Sequence, residues 1–197
     1  MSQNTESAQS LAQQGETYRL MGKYELAVSL FQRAIQLETK YAWAYAHLGV
    51  SYRDQKNTSL NEARKNLEEA LKLDKDYAWA YAQLGDTYIK MQEYQRAEES
   101  FTKAITINPN YARAYAHRGQ VRYLLERFPD AVDDLTKAIS LNSNYAYAHA
   151  FRAAVYVKLE RHQDAVYDIF TAIQIDHTIF KNPCAQQLVA NLLANLK

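Results

Sequence analysis

One hexapeptide is written four times along the chain: Tyr41 to Ala46 (YAWAYA), Tyr77 to Ala82 (YAWAYA), Tyr111 to Ala116 (YARAYA) and Tyr145 to Ala150 (YAYAHA). The spacings are 36, 34 and 34 residues. Self-similarity at a period in the thirties marks a stack of small units, none of which buries its apolar face alone. Such a stack presents a long surface rather than a closed pocket, and leaves no separate catalytic domain to look for.

A register that begins one residue after each leading tyrosine gives repeats at 42–77, 78–111, 112–145 and 146–179, and back-extrapolation adds 8–41. Small residues recur at three places: Gly15, Gly49, Gly85, Gly119 and Ala153; Ala27, Ala63, Ala97, Ala131 and Ala165; Ala34, Ala70, Ala104, Ala138 and Ala172. A large apolar residue stands between the last two sets, as Phe31, Leu67, Phe101, Leu135 and Ile169. Glycine inside a helix costs about 1 kcal/mol relative to alanine, so its return at one place implies close approach of another backbone. Apolar residues fall at helical spacing, as in Tyr81, Leu84, Gly85 and Tyr88, and strand alternation is absent. Each unit therefore reads as two helices pressed together. Pro129 suits the first turn of a second helix, and Asn108-Pro109-Asn110 breaks the chain between units. The polar insertion Lys56-Asn57-Thr58-Ser59 lengthens the turn inside the second repeat.

These residues resemble the tetratricopeptide repeat family, and the third repeat carries its pattern in full: Tyr81, Leu84-Gly85, Tyr88, Ala97, Phe101, Ala104 and Pro109. The resemblance covers about residues 8 to 179. It implies an all-α fold, a right-handed superhelical solenoid of five antiparallel helix pairs, with a concave groove lined by the first helix of each pair. Residues 1–7 are expected to be a flexible N-terminus. Residues 180–197 open with Asn182-Pro183, a helix start, and carry one apolar stripe through Leu188, Val189, Leu192, Leu193 and Leu196. This segment reads as a capping helix on the fifth repeat, or alternatively as a helix that docks into a partner or a second copy.

Two repeats place arginine where the pattern prefers leucine, at Arg118 and Arg152. The same two repeats, alone among the five, carry aspartate sixteen residues on, at Asp134 and Asp168. An unpaired buried charge costs several kcal/mol, so Arg118 with Asp134 and Arg152 with Asp168 are expected to join the two helices of each repeat. The alternative is that both arginines reach solvent.

Nothing points to catalysis or a cofactor. The five histidines form no i, i+4 ligand pair and no metalloprotease motif, and no glycine-rich phosphate loop occurs. Net charge is +1, from 23 basic and 22 acidic residues, so no bulk field draws the chain to nucleic acid or an anionic membrane. No apolar run approaches the roughly 18 residues of a membrane span. The single cysteine, Cys184, excludes an internal disulfide and fits a reducing compartment, giving a cytoplasmic protein as the expectation.

By the family resemblance, the second, fifth, sixth, ninth, twelfth and thirteenth residues of each unit face the groove. The fifth is always alanine, from Ala12 to Ala150, read as an open floor. Walls come from Trp43, Trp79, Arg113 and Tyr147, with His47, Gln83, His117 and Phe151 beside them and Arg53, Lys90 and Tyr123 farther along. Trp43 and Trp79 are the leading anchors, since tryptophan, tyrosine and arginine dominate binding energy at interfaces; their competing role is packing between repeats. The carboxylate clamp of relatives that capture chaperone tails is missing, because Ala12, Glu16 and His47 stand in its places. The expected function is a non-enzymatic module, most simply a monomer, that binds an extended or helical segment of another protein. Single-stranded nucleic-acid binding and a self-associating scaffold are the alternatives.

Overall fold

The computed structural model describes residues 7–55 and 59–179. The expectations for residues 1–6, for Lys56 to Thr58 and for the capping segment 180–197 lie outside these. Among the described residues there are ten helices and no strand: α1 (Ala8–Leu20), α2 (Tyr24–Leu37), α3 (Ala42–Asp54), α4 (Leu60–Leu73), α5 (Ala78–Lys90), α6 (Tyr94–Ile107), α7 (Ala112–Leu124), α8 (Phe128–Leu141), α9 (Ala146–Lys158) and α10 (His162–Ile175). Consecutive helices pair as α1 with α2, α3 with α4, and so on to α9 with α10. The chain divides into two compact units, residues 1–107 and 108–197, a division the repeat spacing does not signal.

In the first unit α2 also packs on α3, and α4 on α5. Phe31, Leu67 and Phe101 are fully buried with the alanines on either side of them. The glycines explain how deep these side chains go. A Cβ at Gly85 would stand 2.7 to 2.9 Å from the Phe101 ring, and one at Gly15 would stand 3.1 to 3.2 Å from the Phe31 ring. At Gly49 the obstacle is backbone, the Ala63 carbonyl oxygen at 2.8 Å, together with Leu67 Cγ at 2.8 Å. The expectation of backbone approach therefore holds at Gly49, whereas at Gly15 and Gly85 the glycine makes room for an aromatic ring. In the second unit α8 also packs on α9, around buried Ala116, Leu135, Ala148 and Val155.

Turns are built from backbone. Ser7 is not part of a loose end: its hydroxyl accepts from the Ser10 amide at 3.1 Å and caps α1. Four repeats close the turn between their helices with one left-handed residue: Gly22 at φ 72°, Gln92 at 62°, Glu126 at 59° and Glu160 at 58°. The next amide reaches back five residues, as from Lys23 to the Tyr18 carbonyl and from Arg127 to the Arg122 carbonyl, the Schellman closure of a helix end. Between α3 and α4 the connection runs from 55 to 59.

Candidate partner-binding surface

The groove positions can be followed along each unit separately. In the first unit, the leading tyrosines start α3 and α5, and the second residue of each helix is a tryptophan. One helical turn on, at i+4 from Trp43, stands His47. Its imidazole lies between the two indoles, 3.9 Å from Trp43 and 4.6 Å from Trp79, at interplanar angles of 28° and 16°. Tyr41 and Tyr77 extend the ladder at 6.0 and 5.8 Å, and Phe31 meets Trp43 edge-on at 6.0 Å. His47 is buried, while both indoles stay half-exposed. Trp43 and Trp79 thus pack between repeats and keep an accessible edge.

His47 Nδ1 lies 2.8 Å from Glu16 Oε2, and a carboxylate can only accept, so Nδ1 carries the proton. Glu16 is gripped in turn by Arg19, whose Nε and Nη2 donate at 2.7 Å each. Burial between the indoles pushes the His47 pKa below its usual value, against the opposing pull of Glu16. For Glu16, burial alone would raise the pKa, but the Arg19 bonds and the His47 ring reverse this and leave it below the ordinary carboxylate value. The ring is therefore neutral near pH 7.

Farther along the same face, Arg53 is buried; its Nη1 donates to Gln83 Oε1 at 2.9 Å and its Nε to Asp54 Oδ1 at 2.8 Å. Asp86 stands 3.8 Å from Arg53, and Lys90 Nζ lies 3.2 Å from the Arg53 carbonyl and 3.6 Å from Asp54. Sequence reasoning placed His47, Arg53 and Gln83 on the open wall; the structure buries all three, because a buried guanidinium and imidazole must find internal partners. The alanine floor needs the same correction. Ala12, Ala46, Ala82 and Ala116 have no exposed surface, since a methyl group between close helices is covered by its neighbours. Only Ala150 keeps partial exposure. Charges on this face are matched, Glu16, Asp54 and Asp86 against Arg19, Arg53 and Lys90.

In the second unit, His117 stacks on Tyr147 at 4.9 Å and 16°, and Tyr147 packs on Phe151 at 4.6 Å. The Tyr147 hydroxyl donates to Gln120 Oε1 at 2.6 Å. His117, Tyr147 and Phe151 are half-exposed and Arg113 is exposed. Tyr123 leans on Phe128 at 5.9 Å. Away from this face, Arg118 holds Asp134 with two bonds of 2.8 and 2.7 Å, and Arg152 holds Asp168 with two of 2.7 and 2.8 Å. Arg122 adds a contact to Asp134 at 2.9 Å, and His149 Nδ1 lies 2.8 Å from Asp168 Oδ1. Arg122 and His149 escaped the sequence reading. A signal existed for Arg122, which lies one helical turn from Arg118 and so shares its face.

Among the described residues no cluster of His, Cys, Asp and Glu could hold a metal ion, and no helix is long and apolar enough to cross a membrane. Family models described as tetratricopeptide repeat match residues 78–111 and 118–177, and one described as TPR repeat matches 15–56 and 59–92. PilF of Pseudomonas aeruginosa superimposes with a TM-score of 0.86 at 20% identity, over 96% of this chain and 84% of its own. MamA does so with 0.72 at 24% identity, over 85% and 97%. YrrB, a TPR protein with an unusual peptide-binding site, gives 0.70 at 19% identity, over 95% and 94%. At these identities the likeness is one of fold. No curated protein matches the chain.

Proposed function

The chain belongs to the tetratricopeptide repeat family, whose fold serves as a protein-interaction scaffold, and we propose that it holds a peptide segment of a partner protein against its first-helix faces, without catalysis. The observation that carries this reading is the Trp43, His47 and Trp79 stack, which fixes two half-exposed indoles before any ligand arrives. Rigid aromatic edges contribute contact area at little cost in side-chain entropy. Lys90 and the matched charges around Arg53 border the stack, so recognition there is by aromatic and hydrogen-bonding contact rather than by net charge. In the second unit the corresponding surface is Arg113, His117, Tyr147 and Phe151, with Tyr123 beyond them. The peptide-binding site of YrrB, on the same fold, supports this use by analogy.

The test is selection of peptides from a random displayed library by the full chain, followed by anisotropy titration. Trp79→Ala is expected to weaken a selected peptide at least tenfold in a chain whose circular dichroism at the assay temperature stays that of the folded wild type. Undiminished affinity in Trp79→Ala and in Tyr147→Ala would overturn the reading.

A further inference from the structure

The first helices of the two units differ in how they carry charge. In the first unit α1, α3 and α5 each hold one acid and one base, Glu16 with Arg19, Asp54 with Arg53 and Asp86 with Lys90, joined at 2.7 to 3.8 Å. In the second unit α7 and α9 hold Arg113, Arg118, Arg122, Arg152 and Lys158 and no acid. Arg118, Arg122 and Arg152 turn to Asp134 and Asp168 on the second helices. Arg113 and Lys158 are exposed at groove positions. The other acids of the unit lie on α8, on α10 or at its end, and in the turns as Glu126 and Glu160, each followed by an arginine.

Particular replacements produce the difference. Lys90 meets Asp54 of the preceding first helix at 3.6 Å. Lys158 has the same place in its repeat, but where Asp54 would stand α7 has Leu124, 39% exposed. The ninth places, Glu16 and Asp86 in the first unit, become Gln120 and Ala154. Arg113 takes the place held by Trp43, Trp79 and Tyr147. Between the two cations the surface is aromatic: His117 on Tyr147 at 4.9 Å, Tyr147 on Phe151 at 4.6 Å, and the Tyr147 hydroxyl held by Gln120 at 2.6 Å.

The two cations stand at opposite ends of this strip. α7 and α9 run the same way, because each is followed by a helix that turns back, and Lys158 is eleven residues beyond Tyr147, the counterpart of Arg113. That is about 16 Å along the helix axis, with a lateral step of about 9 Å between neighbouring helices. The span matches five or six residues of extended chain at about 3.3 Å each. A single chain-terminal carboxylate cannot meet both cations over such a distance, so the complementary acids are side chains. The chain's own ends do not offer them: residues 1–6 hold one acid, Glu6, and residues 180–197 hold none beside Lys181 and Lys197.

We propose that the α7 and α9 face binds an extended segment of a partner protein carrying two Asp or Glu side chains five or six residues apart around an apolar middle, Arg113 meeting one acid and Lys158 the other. This rests on the peptide-holding role proposed above and gives its chemistry in the second unit. Single-stranded nucleic acid needs cations that track every phosphate, which two residues at the ends of an aromatic strip do not supply.

The test begins with random twelve-residue peptides selected on display by the full chain. Those that Tyr147→Ala weakens are synthesised with acetylated and amidated ends and titrated by anisotropy. They are expected to carry two acids at the stated spacing. Changing both acids to glutamine should weaken binding about tenfold at low salt, three- to fourfold for each, since exposed ion pairs are individually weak. Arg113→Gln with Lys158→Gln, both at exposed positions, should bind the acidic peptide and its glutamine twin alike, and the twin as the wild type does. Peptides that depend on Tyr147 but lack the acidic pair would overturn the proposal and leave the peptide-binding reading standing, as would discrimination that survives the double substitution. Selected peptides indifferent to Tyr147→Ala also overturn it, and the wider reading falls with it only if Trp79→Ala spares them too. Tighter retention of a labelled twelve-nucleotide oligothymidylate than of the peptides would overturn it and assign the face to nucleic acid.

Discussion

At the residue scale, two kinds of position have their identity dictated by space. Gly49 has the Ala63 carbonyl oxygen and Leu67 Cγ at 2.8 Å from a would-be Cβ, so Gly49→Ala forfeits more in overlap than the roughly 1 kcal/mol alanine gains in helix propensity. A net loss of about 1 to 3 kcal/mol in urea unfolding is expected, and unchanged stability would contradict the packing. The left-handed turn residues show the reverse case. Gln92 occupies φ 62°, a conformation that strains a side chain and suits glycine. Gln92→Gly is therefore expected to raise stability by up to about 1 kcal/mol, measured by thermal unfolding. His47 adds a pH dependence. Its folded pKa is below its unfolded one, so the unfolded state binds the extra proton first and stability falls as pH drops below about 6.5. Glu16, also depressed, adds a second loss as pH falls through the carboxylate range. Comparing wild type with His47→Gln from pH 7.5 to 5 should show a shallower decline in the variant; parallel curves would remove His47 as the cause.

At the element scale, helix pairs are joined by two different means. Apolar contacts are common to all: a large residue sits between alanines and faces a small one. The last two pairs add ion pairs in which Asp134 and Asp168 are almost wholly buried. Asp134→Ala leaves Arg118 and Arg122 facing each other without their shared carboxylate. The cost is expected at about 2 to 4 kcal/mol, below the full penalty for a buried charge because both arginines retain some access to water. Replacing Arg118 by leucine, the residue at its place in α3 and α5, together with Asp134→Asn should recover part of that loss. A double variant no more stable than Asp134→Ala would show that the pair is not the source of the effect. How much of this was legible varied by residue. The sixteen-residue offset pointed to Arg118 with Asp134, because two positions one repeat apart broke the pattern together. No comparable offset marked His149, whose partner became visible only when α9 and α10 were laid side by side.

At the scale of the whole molecule, a repeat protein has a stability built from local terms and nearest-neighbour interfaces. Both tryptophans, Trp43 and Trp79, lie in the unit formed by residues 1–107. Their emission reports that unit, whereas far-UV circular dichroism reports every helix. Asp168→Ala, which removes the partner of Arg152 and His149, is expected to lower the dichroism midpoint more than the tryptophan midpoint. Equal shifts would mean that the chain unfolds as one cooperative block.

The period was enough to determine the architecture. Glycine, alanine and large apolar residues recurring at fixed places leave one arrangement of helix pairs that satisfies all of them, and this information is local and repeated. Which wall residues stay accessible was not local. Trp43 and Trp79 keep an open edge while His47 between them is buried, and Arg53 turns inward to Gln83, because each outcome depends on side chains about thirty residues away that a neighbouring repeat brings within a few ångströms. Helical spacing tells which face a residue occupies; packing and the cost of leaving a buried polar group unpaired decide what remains on that face for a partner to touch.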